Sequence, residues 1–199
     1  MQSKNIIQSA SDIYTYITFG EPQRCIHRFN SHTLICVYSG ELEIISEGKQ
    51  TCLKSGNCAF IAARQMAQIT VYPSSGNVFR AVMLSLPCCF VSEFFHTLCH
   101  AGYAYDGMER TGFSMLPDCP EFQSLFQSLK PYHDTSRTIL ASLCRLKMAE
   151  GIYALLNTDR RFFITLFGDI IDGKLDILDI LNESIGYEMS WRAIKNSTI

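Results

Sequence analysis

The chain has 199 residues, of which 47% are hydrophobic and 18% charged, and its formal net charge is −2. That length suits one principal domain with an appendage, and an apolar share this high excludes a disordered chain. Lys and Arg are scattered along the sequence, so nothing supplies the basic surface that phosphate-backbone binding needs, and these residues alone should bind DNA poorly.

Met1 to Ala10 lacks the apolar run of a signal peptide, and no stretch approaches the ~20 apolar residues that span a bilayer. A cytoplasmic protein with no membrane partner is expected. The nine cysteines form no C-x-x-C, and Cys36, Cys52, Cys58 and Cys144 sit within apolar runs, which predicts reduced and mostly buried thiols.

Runs rich in Ile, Val, Tyr, Phe and Thr, separated by Gly, Asn and Ser, predict eight short strands. They are Ile13–Phe19, Arg24–Phe29, Thr33–Tyr38, Glu41–Ser46, Gln50–Leu53, Cys58–Ala62, Ala67–Tyr72 and Val78–Leu86. Glu47-Gly48 and Ser55-Gly56-Asn57 have the turn chemistry that tight connections require. Eight strands at this spacing fit a closed barrel or a sandwich.

After Pro87 the period changes. Phe90, Phe94 and Leu98 recur every four residues and predict a helix from Cys88 to Ala101. A second helix is expected to open at Pro120, bury Phe122, Leu125, Phe126 and Leu129, and end at Pro131. Arg137 to Leu156 is the longest helical pattern. Leu140, Cys144, Met148, Ile152 and Leu155 form one stripe, with Ile139, Leu143 and Leu146 beside it. A helix apolar over so wide an arc needs two partners, so one side should meet the strands and the other a second subunit. A single broad core face is the alternative. Phe162, Phe163, Ile164 and Leu166 follow, then an amphipathic run from Leu175 to Ile185, and Ser190 as N-cap of a further helix start.

The segments His32–Ile44 (HTLICVYSGELEI) and Leu53–Ile61 (LKSGNCAFI) resemble the cupin half-motifs in the N-terminal domains of AraC-family transcription regulators. Arg145–Phe167 resembles the family's linker helix and the segment after it. The resemblance covers most of residues 24–190. It implies an α+β fold in which a cupin-like, jelly-roll-like antiparallel β-barrel (1–87) serves as sensor, a helical linker and dimerisation region (88–168) follows, and a DNA-binding domain starts at 169–199. The first helix-turn-helix would begin near Asp176, with Met189 to Ile194 resembling the start of its second helix, so neither recognition helix lies in this chain. What is implied is an effector-sensing, dimerising regulatory domain that reaches DNA only through a downstream domain, the chain being either a shortened piece or a natural remnant.

Enzymatic cupins hold a metal with convergent His and Glu ligands. Here the Glu position falls on Thr33 and the late His position on Ala59, while His27 and His32, five apart, are expected on opposite faces. No metal, cofactor or catalytic residue is therefore assigned. His96, Cys99 and His100, with Cys89 two turns earlier, share one helical face, but they are read as the polar end of a Phe-rich helix. Carried over position by position, the cupin pattern turns Thr33, Ile35, Val37, Ala59 and Ile61 into the barrel, with His27 as a polar anchor. These residues line an apolar pocket for a small organic effector, or else fill a closed barrel. The homodimer contact is placed on Leu140, Cys144 and Met148. Two other readings remain at this stage: a metal-dependent cupin enzyme, such as an isomerase or dioxygenase, and a pure protein-interaction module.

Overall fold

The computed structural model describes residues 6–11, 14–98, 109–134 and 141–173. Ten strands form two antiparallel sheets. They are β1 (Ile6–Ser11), β2 (Tyr14–Phe19), β3 (Gln23–Phe29), β4 (His32–Ser39), β5 (Glu41–Ser46), β6 (Lys49–Lys54), β7 (Cys58–Ile61), β8 (Gln65–Tyr72), β9 (Phe79–Leu86) and β10 (Phe113–Met115). The six-stranded sheet runs β1-β2-β9-β4-β7-β10 and the four-stranded sheet β3-β8-β5-β6. Four helices follow or interrupt them: α1 (Cys88–Thr97), α2 (Pro120–Asp134), α3 (Ala141–Thr158) and α4 (Arg161–Ile171).

The eight expected strands all form, and two more join them. β1 extends the sheet by pairing with β2, Ile7 opposite Ile17. β10 is three residues long, too short for any periodicity, and exists because it pairs with β7, Phe113 opposite Ile61. The helical region thus donates a strand to the six-stranded sheet, so the expected boundary at residue 87 is not a clean division. The boundary at 168 cuts α4, which runs on to Ile171.

Two helix ends differ from expectation. α1 stops at Thr97, where the Leu98 N–H bonds the carbonyls of both Phe94 and Phe95; Ala101 lies outside the described residues. α2 continues through Pro131 to Asp134, because a proline one turn from a helix end removes a single backbone bond there. The start of α3 before Ala141, the Leu175 to Ile185 run and the Ser190 cap lie outside the described residues.

The apolar side chains separate into two clusters because strand residues alternate faces. Ile35, Val37, Leu42, Ile44, Leu53, Ala59, Ile61, Phe79 and Met83 lie between the sheets. Leu34, Cys36, Phe60, Val82 and Leu84 point the other way, into a cluster shared with all four helices. The six-stranded sheet is therefore buried on both faces, which is why β4 and β9 read as nearly unbroken apolar runs.

The β4–β5 corner turns on Gly40, whose φ is +86°. A Cβ there would stand 2.5 Å from the Tyr72 carbonyl oxygen and 3.0 Å from the Phe79 ring. Gly40→Ala combines a left-handed backbone with a backbone clash and should lower the unfolding free energy by roughly 2–3 kcal/mol, read from urea denaturation. An unchanged midpoint would contradict this corner geometry.

Candidate functional site

The interior between the sheets is the first candidate. Thr33, Ile35 and Val37 of β4 and Ala59 and Ile61 of β7 all point into it or line its rim, and all are buried. His27 of β3 is also buried, edge-on to Phe29 with ring centroids 4.5 Å apart. These six expected pocket residues are brought into one interior. His32 lies across the sheet from His27, its ring stacked on Phe60 at 5.7 Å and its Nδ1 accepting the Ala63 N–H at 3.1 Å.

Two small cavities lie among the described residues of that interior. An apolar cavity of about 30 Å³ lies among Ile17, Phe19, Cys25, Ile35, Leu42 and Met83. A smaller one of about 10 Å³ is walled by His27, Ser31, Thr33, Met83 and Ser85. One water needs some 10–15 Å³, so the larger cavity could take about two waters and no organic molecule without movement. Met83 walls both cavities, and its unbranched thioether is the side chain best able to re-pack. Ser31, Met83 and Ser85 were not singled out from the sequence. Ser85 carried a signal, a hydroxyl at an inward position of the apolar strand Phe79–Leu86.

The interior connects directly to the helices. α3 crosses the sheet at Gly151, where a Cβ would stand 2.8 Å from Leu34 Cδ1. Leu34 lies between Thr33 and Ile35, which face the cavities, so one strand touches both compartments. At the far end, Arg110 bonds Asp169 and, at 2.9 Å, Asp172, while Arg64 bonds Asp169 at 3.0 Å. The Thr111 N–H bonds Thr165 Oγ1 at 3.0 Å. These contacts hold α4 against the β7–β8 turn and the approach to β10. Exposed ion pairs add little stability individually, but a shared network fixes orientation.

The long helix corrects an expectation. Cys144 and Met148 are 2% and 1% exposed, buried with Ile152 and Leu155 in the chain's own core. Contacts inside the chain cover the stripe assigned to a second subunit, because four helices and a sheet converge there; Leu140 lies outside the described residues. The apolar side chains left outward are Leu146, 66% exposed, and Tyr153, 57% exposed, one heptad apart, with half-buried Ala149 and Leu156 on the same stripe.

Among the described residues no group of three or more His, Cys, Asp or Glu side chains converges to hold a metal. Cys99 and His100 lie outside them. Cys36 and Cys58 face each other across β4 and β7, and the hydrogen bond the Cys58 thiol shares with Cys36 as donor, with burial, raises that thiol well above its ordinary range. Cys52, expected to be buried, is exposed on β6, because its register partner Glu43 lies on the outward face. No helix among the described residues is long and apolar enough to cross a membrane.

Two facing antiparallel sheets with helices on one of them make a β-sandwich of the α+β class. Residues 32–164, more than half of the chain, match the family model described as the ExsA N-terminal regulatory domain. The chain belongs to that family, and it carries the regulatory domain of an AraC-type transcription regulator. Similar solved structures include three from other bacteria. EutQ from Clostridium difficile is 22% identical over 37% of this chain and 55% of its own, with a TM-score of 0.33. A cupin superfamily protein from Desulfitobacterium hafniense is 14% identical over 43% and 83%, with a TM-score of 0.35. Unsaturated fatty acid-bound ToxT from Vibrio cholerae is 8% identical over 79% of this chain and 55% of its own, with a TM-score of 0.49. No curated protein sequence matches the chain.

Burial holds both His27 and His32 neutral, lowering each from 6.5 to about 4; for His32 the Asp169 carboxylate opposes the shift, and Arg64 and Arg110 add to it. Between pH 6.5 and 4 the unfolded chain binds protons that the folded chain refuses. Stability is therefore full above pH 6.5 and falls as pH drops towards 4, by roughly 1.4 kcal/mol per pH unit for each histidine. Urea midpoints should decline steadily from pH 7 to pH 5, and His32→Gln should remove about half of that slope. Equal slopes in the two proteins would contradict a neutral, half-buried His32.

Proposed function

We propose that this regulatory domain senses a small organic effector between its two sheets, works as a homodimer, and leaves DNA reading to a helix-turn-helix unit C-terminal to Gly173. Thr33, Ile35, Val37, Ala59 and Ile61 form the apolar lining, with His27 and Ser85 as polar anchors. The observation that carries this reading is the alternation of β4: Thr33 and Ile35 face the cavities while Leu34, between them, seats against Gly151 of α3. An effector that displaced Met83 would change what β4 presents to α3. The clamp of Arg64 and Arg110 on Asp169 and Asp172 would carry the change to the end of α4.

Coupling of this kind requires an effector that binds one arrangement better than the other, since a ligand shifts an equilibrium only by its differential affinity. Residues 1–87 with β10 act as the sensor, and α1 to α4 form the dimerisation and linker region. The dimer contact falls on the outward stripe of α3, with Leu146 and Tyr153 as anchors and Ala149 allowing close approach. The family is regulatory, and this reading assigns no catalysis. Such a regulator acts in the cytoplasm, where its DNA is.

Native mass spectrometry of the purified protein tests these elements together. The expected result is a dimer whose protomers carry or accept a small organic molecule, and a monomer with the same ligand behaviour for Leu146→Glu/Tyr153→Glu. A dimer unaffected by that double variant would remove α3 as the contact. Stoichiometric iron, manganese or zinc in the interior would support a metal-dependent cupin enzyme instead.

A further inference from the structure

The two cavities between the sheets meet at one side chain. The larger has Phe19, Leu42, Val71 and Phe79 on its walls, the smaller has His27, Ser31, Thr33 and Ser85, and Met83 walls both. In the β4–β9 register Met83 stands opposite Ile35 and Ser85 opposite Thr33, so the hydroxyls lie one inward step along β9 from the methionine. From Ser85 through Met83 to Phe79 the walls follow β9 for about 20 Å at the rise of an extended strand. With the Met83 side chain turned aside, the cavities join into one narrow channel, hydroxyls at one end and apolar surface at the other. An unbranched thioether makes that movement more readily than the branched side chains around it.

Charge is kept out of this channel. The charged residues on its walls are Arg24 and Arg28 of β3, and both are exposed, on the side of the strand opposite Cys25 and His27. The Arg24 charge acts on the hydroxyl of Tyr72, which is exposed on the outward face of the same sheet. His27 is buried and neutral. Thr33 Oγ1 donates to the Ser31 carbonyl at 3.0 Å, so towards the cavity it offers lone pairs. A carboxylate or phosphate placed there would lose its hydration with no cation in return and would meet an acceptor. A hydroxyl or a primary amide is uncharged and brings the donor that Thr33 can accept. We infer that the site takes an elongated, uncharged apolar molecule with one hydroxyl or amide donor at its end, and that Met83, which must swing aside to admit it, is the specificity-determining residue of the pocket. The inference rests on the effector reading above and narrows it to one class of ligand.

1-Pentanol and pentanoate, equal in chain length and different in charge, are the probes that test it. Each is titrated at pH 7 into the full 199-residue chain with its methionines carrying a 13C methyl, and the Met83 methyl resonance is identified by its loss in Met83→Leu. 1-Pentanol should shift that resonance saturably, and pentanoate should bind at least about a hundredfold more weakly. In ligand-observed NMR, Met83→Ala should tighten 1-pentanol about tenfold by removing the cost of moving the side chain, and Thr33→Val should weaken it about tenfold. A Met83 methyl unmoved by 1-pentanol overturns the inference, and so does pentanoate bound as tightly as the alcohol, or an affinity unchanged in Met83→Ala. Should Met83→Ala lack a cooperative thermal transition, the wild-type titration decides alone. The methyl of Met148, buried on α3 in the helical cluster, separates the two readings. An alcohol that moves Met83 and leaves Met148 unmoved keeps this inference and sinks effector signalling, whereas a carboxylate-bearing molecule retained in native mass spectrometry does the reverse.

Discussion

The structure depends on one sheet being buried on both sides. β4 and β9 send alternate residues into the space between the sheets and into the helical layer, so neither face can meet water. Shifting either strand by one residue would exchange Ile35, Val37 and Met83 for Leu34, Cys36 and Leu84. Both faces would still be apolar, but the fit to Gly151 would be lost along with the placement of Thr33 and Ser85. The register is held by specific shapes such as Leu34 against α3, and by the strands that pair on either side of β4.

The space between the sheets is lined by apolar side chains from both of them. The two cavities seen among the described residues, of about 30 Å³ and 10 Å³, are each too small for an organic molecule, and Met83 walls both. The polar side chains gathered at the smaller cavity could hold one polar group of such a molecule, while the larger cavity takes apolar surface. Because packed layers have few alternative arrangements, a change beside Met83 would be felt across β4 and not dissipated locally.

Outward surfaces divide the remaining work. The helical layer presents Leu146 and Tyr153, whereas the opposite sheet presents Ile26 and Met66. Between these two faces the arginine and aspartate clamp fixes where α4 ends. It ties together residues 64, 110, 169 and 172, which are far apart in the chain, so the approach to β10 and the end of α4 are held at the β7–β8 turn.

Much of the fold was legible in the chain itself. Runs of β-branched and aromatic residues between Gly, Asn and Ser marked eight strands and the four-residue recurrence after Pro87 marked the helical region, because both signals are local; the inward side of Ile35, Val37, Ala59 and Ile61 came from the resemblance to the cupin pattern, since β4 is apolar on both faces and alternation alone leaves its register open. β10 left no trace, since three residues have no period and only the open edge of β7 makes them a strand. Cys144 and Met148 lay on a correctly drawn stripe, yet the sequence alone could not say whether that stripe met the chain's own sheet or another subunit, because apolar surface carries no address. The sequence by itself determined which residues would avoid water and at what spacing. The tertiary structure decided what each of them touches, how little room the interior keeps, and which apolar side chains stay outside, because those follow from how the layers stack and not from any one segment.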